Sequence, residues 1–162
     1  MTKPIDKQKQ GRTNRKKGMK FEVLVRKSLE AEGWIVTKWL NQINLITGLV
    51  EPAKQKFNPF TKRIMAIGTG MPDFLAFRNV DSGIVCENKY VKMQEVIGVE
   101  SKSNGRLDPE EKDKCRLYLK NNIFKRILIA RKKIIKGKIT VLFEDFEDKY
   151  EKKEKEKIKA CK

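Results

Sequence analysis

A mixed α/β (α+β) fold, with a central mixed β-sheet flanked by helices in the order α-β-β-β-α-β-β, is predicted by three observations. A segment near the start carries apolar residues at helical spacing. The middle holds short apolar runs punctuated by Asn, Asp and Gly, and a well-capped helix followed by two more apolar runs closes the order. At 162 residues the chain fits one domain with a modest core.

Residues 1–17 are polar and basic without apolar periodicity, which predicts a flexible basic arm. Phe21, Leu24, Val25, Ser28 and Leu29 then recur at helical spacing, so a helix is expected over about 17–32, with Gly33 suited to end it. Trp34 to Trp39 reads as the first strand, its tryptophans serving as core or edge packing. Residues 40–66 contain Gly48, Pro52 and Pro59 and read as an extended loop or a small added hairpin. There Phe57 and Phe60 interleave with Lys54, Lys56, Lys62 and Arg63, which suits a nucleic-acid surface and equally suits aromatic anchoring of the loop. The apolar runs Phe74 to Phe77 and Ile84 to Cys86 flank Asn79-Val80-Asp81-Ser82-Gly83, predicting a hairpin turned near Val80. A loop is expected over 91–106. Asp108-Pro109-Glu110-Glu111 is a helix start, with Asp as N-cap, Pro at the first position and Glu at the third, and the helix should reach about Asn121. Phe124 to Ala130 and Lys138 to Phe143 read as the last strands, joined at Lys136-Gly137. The tail, 144–162, mixes charges around Phe146, Tyr150 and Ile158 and reads as a solvated helix or disordered, leaving 18–143 as the folded domain.

Composition narrows the chemistry. Lys plus Arg number 38 against 21 acids, a net charge of +17, which favours a polyanionic partner, most economically a nucleic acid. The tail carries seven charges of each sign, so the excess belongs to the arm and the body. No histidine is present, which removes imidazole bases, Ser-His-Asp and Cys-His catalysis. Cys86, Cys115 and Cys161 are odd in number and widely spaced, which fits reduced thiols and makes structural zinc improbable. No apolar run approaches the length of a membrane span or a signal segment, so a soluble, intracellular (cytoplasmic) protein with no membrane association is expected.

The candidate site follows from the expected hairpin. If its strands pair about Val80, Asp73 falls opposite Glu87, with cross-strand Cβ atoms roughly 5 Å apart. Strand alternation puts Glu87 and Lys89 on one face and turns Asn88 away. Glu22 shares a helical stripe with Val25 and Leu29 and so borders the inward face. Two hard oxygen ligands and an ammonium then meet at one spot, with a third acid near.

Pro72-Asp73, Glu87-Asn88-Lys89 and the helical Glu22 together resemble the PD-(D/E)xK nuclease superfamily. Within it Gly11-Arg12, the run Lys16-Lys17-Gly18-Met19-Lys20-Phe21-Glu22, and Gly68-Thr69-Gly70-Met71-Pro72-Asp73-Phe74 look like archaeal Holliday junction resolvases and related archaeal and viral endonucleases, over about residues 11–143. The resemblance implies a restriction-endonuclease-like sheet, with 18–143 as the nuclease domain. It implies a Mg²⁺-dependent DNA endonuclease that hydrolyses phosphodiester bonds with Glu22, Asp73, Glu87 and Lys89 as catalytic residues, and a homodimer that uses no small-molecule cofactor. Carboxylates, a backbone carbonyl and water form the ligand set that Mg²⁺ prefers, with Mn²⁺ able to substitute. Asp73 and Glu87 are then the expected direct ligands, the carbonyl of Asn88 a further one, and Glu22 a ligand to a second ion or to a metal-bound water. Arg12, Arg15, Lys16, Lys17 and Lys20 are expected along the DNA backbone, and Thr69 is a candidate hydroxyl donor to a phosphate. The link 40–66 is longer than such resolvases usually have. A general or nicking nuclease of the same superfamily, acting on duplex or branched DNA in viral or host replication or repair, is therefore an alternative, and a non-catalytic basic nucleic-acid-binding protein is a second.

Overall fold

The computed structural model describes residues 7–53, 56–59, 62–65, 70–86 and 89–152. Helix α1 (Lys7–Ala31) leads into strand β1 (Ile35–Lys38). Two small hairpins follow, β2 (Asn41–Ile43) with β3 (Val50–Pro52), and β4 (Lys56–Asn58) with β5 (Arg63–Met65). The long strands β6 (Phe74–Cys86) and β7 (Lys89–Ser101) precede helix α2 (Pro109–Lys120), then β8 (Arg126–Ile135), β9 (Lys138–Asp145) and a single π-helical turn over Glu147–Glu151. The main sheet has the order β1-β6-β7-β8-β9. Every neighbouring pair is antiparallel except β7 and β8, whose parallel pairing requires the crossover through α2. This mostly antiparallel sheet with helices belongs to the α+β class.

Side-chain alternation gives the sheet two apolar faces. Along β8, Leu128 and Ala130 join Phe74, Ala76, Ile97 and Val99 beneath Phe21, Val25 and Leu29 of α1. Ile127 and Ile129 turn the other way, toward Cys115 and Tyr118 of α2. The start of α2 is the expected one: Asp108 accepts from the Glu111 N–H while the Glu111 side chain accepts from the Asp108 N–H, a complete capping box. Both tryptophans pack as expected, Trp34 buried under α1 and Trp39 edge-on to Phe124 with its indole N–H on the Tyr118 hydroxyl.

Four expectations give way to the tertiary structure, and a fifth, the added hairpin in 40–66, is extended by it. The helix begins at Lys7, well before residue 17, so the part of the arm from 7 to 17 is helical. Lys, Arg and Gln carry good helix propensity, and the buried stripe from Phe21 onward anchors the segment. The region 40–66 forms two hairpins; the first docks Ile43 into the α2 face and receives a hydrogen bond from the Asn121 side chain at the Gly48 carbonyl. The expected turn at 79–83 is strand: β6 runs through it, and a register shift between Asp81 and Val85 accommodates the turn-like residues as a bulge. The loop expected from 91 is likewise strand up to Ser101. Beyond 143, Phe146 is fully buried and Tyr150 accepts the Leu107 N–H, so the beginning of the tail belongs to the body. No helix among the described residues is long and apolar enough to cross a membrane.

Gly70 stands where the chain turns into Pro72-Asp73. A Cβ built there would lie 1.6 Å from the Asn41 carbonyl oxygen, a backbone atom that cannot swing aside. Gly70→Ala should therefore destabilise the fold by about 3 kcal/mol, read as a lowered midpoint in urea unfolding with an unchanged slope; an unchanged midpoint would show that the segment can relax.

Candidate active site

The site forms where β1, β6 and β7 end together. Phe74 pairs with Val99, so Asp73, one residue before β6, stands beside Glu100. The Asp73 N–H donates to Glu100 Oε2 at 3.1 Å, and the Ser101 N–H donates back to Asp73 Oδ2 at 2.9 Å. Both carboxylates are buried, at 9% and 6% exposure. Glu100 opens the triplet Glu100-Ser101-Lys102, and Lys102 Nζ lies 3.4 Å from Glu100 Oε1. The same ammonium is ion-paired with Glu111 in the first turn of α2, so the capping box also holds this lysine. On the α1 side Glu22 is ion-paired with Lys38 at the end of β1, and Lys38 Nζ sits 4.4 Å from the Phe74 ring centroid. Asp73 thus lies between two acid–lysine pairs, one from each face of the sheet.

The charges are poorly balanced. Burial, reinforced by the charge of Asp73, pushes Glu100 up to about 8, against the opposing pull of Lys102. Asp73 is also raised: burial and the Glu22 charge outweigh the Ser101 N–H, Lys38 and Lys102. Burial would lower Lys102, but its hydrogen bond to Glu111 and the charges of Glu100 and Glu111 prevail and raise it. Glu95, as buried as Asp73, offers the contrast. Arg78 donates to its carboxylate twice, at 3.2 and 3.0 Å, and Arg126 lies 3.9 Å away. An acid used only for structure is compensated in that way; Asp73 and Glu100 press on each other, while the nearby lysines, Lys38 and Lys102, are ion-paired with Glu22 and Glu111. The adjacent Ser101 hydroxyl is buried with no hydrogen-bond partner among the described residues.

Of the residues singled out from sequence, Asp73 and Glu22 are at this cluster. The expected pairing of Asp73 with Glu87 does not occur. Cys86 pairs with Lys89 at the far end of the thirteen-residue β6, so about 40 Å of strand separates that end from Asp73. Glu87, Asn88 and Thr69 lie outside the described residues, as does the Lys89 side chain. The residues that meet Asp73 are Glu100 and Lys102. A signal for them was present: Val96-Ile97-Gly98-Val99 is an apolar run followed at once by Glu-x-Lys, the same layout as Ile84-Val85-Cys86 before Glu87. Glu111 carries no such signal, because its role as the third residue of a capping box already accounts for it. Arg12, Arg15, Lys16, Lys17 and Lys20 are all exposed on the part of α1 that extends past Glu22.

Among the described residues no three acidic or cysteine side chains converge on one point. Glu22 is turned to Lys38, which leaves Asp73 and Glu100. Two carboxylates suffice for Mg²⁺, which keeps several waters and takes further oxygens from substrate phosphate. Each carboxylate has given one oxygen to a backbone N–H and retains lone pairs. Buried, mutually repelling and hard, this pair fits a divalent cation, whose charge would relieve the repulsion. Comparison of the chain with protein-family models, with curated proteins and with solved structures finds no match.

Proposed function

We propose that the protein is a metal-dependent DNA endonuclease of the PD-(D/E)xK kind, with a restriction-endonuclease-like fold and its site at Asp73, Glu100 and Lys102. The observation that carries the reading is the β6–β7 register, which sets Pro72-Asp73 beside Glu100-Ser101-Lys102. The superfamily pattern is thus met by Glu100-Ser101-Lys102 beside Asp73, in place of Glu87-Asn88-Lys89.

Asp73 and Glu100 would hold Mg²⁺, or Mn²⁺ in its place. The ion would lower the pKa of a bound water and polarise the scissile phosphate. Lys102, kept in position by Glu111, faces the charge that develops on the phosphate oxygens as the water oxygen bonds to phosphorus. The bond from phosphorus to the leaving sugar oxygen breaks; the attacking water gives up one proton to solvent, and the leaving oxygen takes one up from solvent. Glu22 and Lys38 form the opposite wall; Glu22 orients water only if Lys38 releases it to an incoming phosphate. The exposed cations Arg12, Arg15, Lys16, Lys17 and Lys20 would track the DNA backbone, which predicts affinity falling steeply with salt. A homodimer would present two such sites for paired cuts in branched DNA.

The Glu22–Lys38 and Glu111–Lys102 ion pairs favour one other reading, a basic DNA-binding protein whose acids are structural. One assay separates the two. Wild type and Asp73→Ala are incubated with four-way junction, flapped, nicked and linear DNA, with Mg²⁺ and with chelator. Cleavage by wild type that needs Mg²⁺ and is lost in the variant is expected. No cleavage of any substrate refutes the enzyme, and equal cleavage by Asp73→Ala refutes the site.

A further inference from the structure

We propose that the β8–β9 hairpin beyond Ala130 is a second DNA-contacting element, whose lysines bind phosphates and whose isoleucines abut bases at a branch point. This deepens the nuclease reading and rests on its DNA substrate.

Position is the first argument. Ser101 pairs with Ala130, the Lys102 N–H donates to the Ala130 carbonyl at 2.9 Å, and the Lys132 N–H donates to Ser103 O at 3.2 Å. Strand β8 therefore leaves the edge of the site and continues from Arg131 to Ile135, about 17 Å further, before β9 returns. The basic part of α1 runs off the same end of the sheet, past the Glu22–Lys38 contact. DNA laid across Asp73 and Glu100 meets both projections.

Chemistry is the second. Lys132, Lys133, Lys136 and Lys138 are exposed at the tip, and among the described residues no acid is paired with them. Ile134 lies opposite Ile139, exposed at 66% and 50%, and Ile135 is exposed beside the turn. Lysines alone would serve to keep an edge strand from pairing. Exposed isoleucines among them do the opposite, unless a surface at once anionic and apolar covers them. Unstacked bases beside phosphates are such a surface, and apolar wedges flanked by cations are used on distorted DNA. A second copy of the same hairpin would set like charges together.

The turn is the third. Lys136 and Gly137 have φ of 49° and 76°, the two-residue turn that suits strand twist. Asn or Gly is the favoured first residue there, and a lysine is held in a conformation unfavourable to it, as happens where function retains a side chain.

The test uses the full chain without divalent metal, so that binding is read with no cleavage, by fluorescence anisotropy on a four-way junction and a linear duplex over a salt series. Changing Lys132, Lys133, Lys136 and Lys138 together to Gln should lower the slope of log affinity against log salt by roughly 3 and weaken binding more than tenfold. Ile134→Ser with Ile139→Ser should keep the slope and bring the junction-to-duplex affinity ratio toward 1. Wild-type slope and affinity in the lysine variant overturn the proposal, as does loss of binding to phosphatidylserine vesicles with DNA binding intact. An unchanged affinity ratio overturns the role of the isoleucines. If wild type cleaves nothing yet the lysine variant loses DNA, the nuclease reading fails and the hairpin stands; if Asp73→Ala abolishes cleavage while the hairpin variants bind as wild type, the hairpin fails alone.

Discussion

Glu100→Gln is expected to lower DNA cleavage by on the order of 10²- to 10³-fold while leaving the fold at least as stable as wild type. The two halves of this expectation have one cause. Glu100 is 6% exposed, faces Asp73 and shares a single nearby lysine with it, so its charged form is disfavoured unless a cation is present. Glutamine keeps the acceptor for the Asp73 N–H and removes that charge, which relieves the protein and deprives the metal of a ligand. At pH 9, where the wild-type acid is ionised, the variant should melt higher than wild type in chelator. A structural glutamate behaves in the reverse way, losing stability when neutralised. Glu87→Gln and Lys89→Ala serve as controls and should cleave within about twofold of wild type, since the backbone of Cys86 and Lys89 pairs at the opposite end of β6 from Asp73. Cleavage lost in Glu87→Gln and kept in Glu100→Gln would return the site to the other end of the hairpin.

How far the sequence carries is seen in this pair of triplets. The local signals were strong where one residue decides the structure: Asp108, Pro109 and Glu111 start α2, and Lys136-Gly137 turns β8 into β9. Phe21, Val25 and Leu29 identify the buried stripe of α1 because helical spacing alone sorts them. The hairpin failed because Asp, Ser and Gly signal both a turn and a bulge, and only the partner strand distinguishes them. Pairing Phe74 with Val99, in place of strands turned about Val80, carries Asp73 from one Glu-x-Lys to another, thirteen residues on, without changing a single local preference. Register is a long-range property, set here by Phe74, Ala76, Ile97 and Val99 sharing the face beneath α1. The basic helix before Phe21 is hidden for a related reason: residues 10–20 are all exposed, so they leave no apolar period to read.

Metal affinity should rise about tenfold per pH unit from pH 6 to 8 and level off above, a gain of about 100-fold. Glu100 is raised from the usual 4.5 to about 8, so over this range a cation must displace its proton to bind. Stability provides an independent check on the sign. Between the unfolded value near 4.5 and the folded value near 8, the native state holds a proton that the unfolded chain has lost. The metal-free protein therefore loses the Glu100 contribution to stability as pH climbs through that window. Saturating Mg²⁺ binds the native carboxylates and should offset the loss, so the rise in melting temperature on adding Mg²⁺ is larger at pH 8.5 than at pH 6. Isothermal titration with Mn²⁺ and thermal melts with and without Mg²⁺ measure both effects. Affinity that is flat from pH 6 to 8 would mean that Glu100 is not displaced by the ion, and Glu100→Gln binding Mn²⁺ as tightly as wild type would remove it from the ligand set.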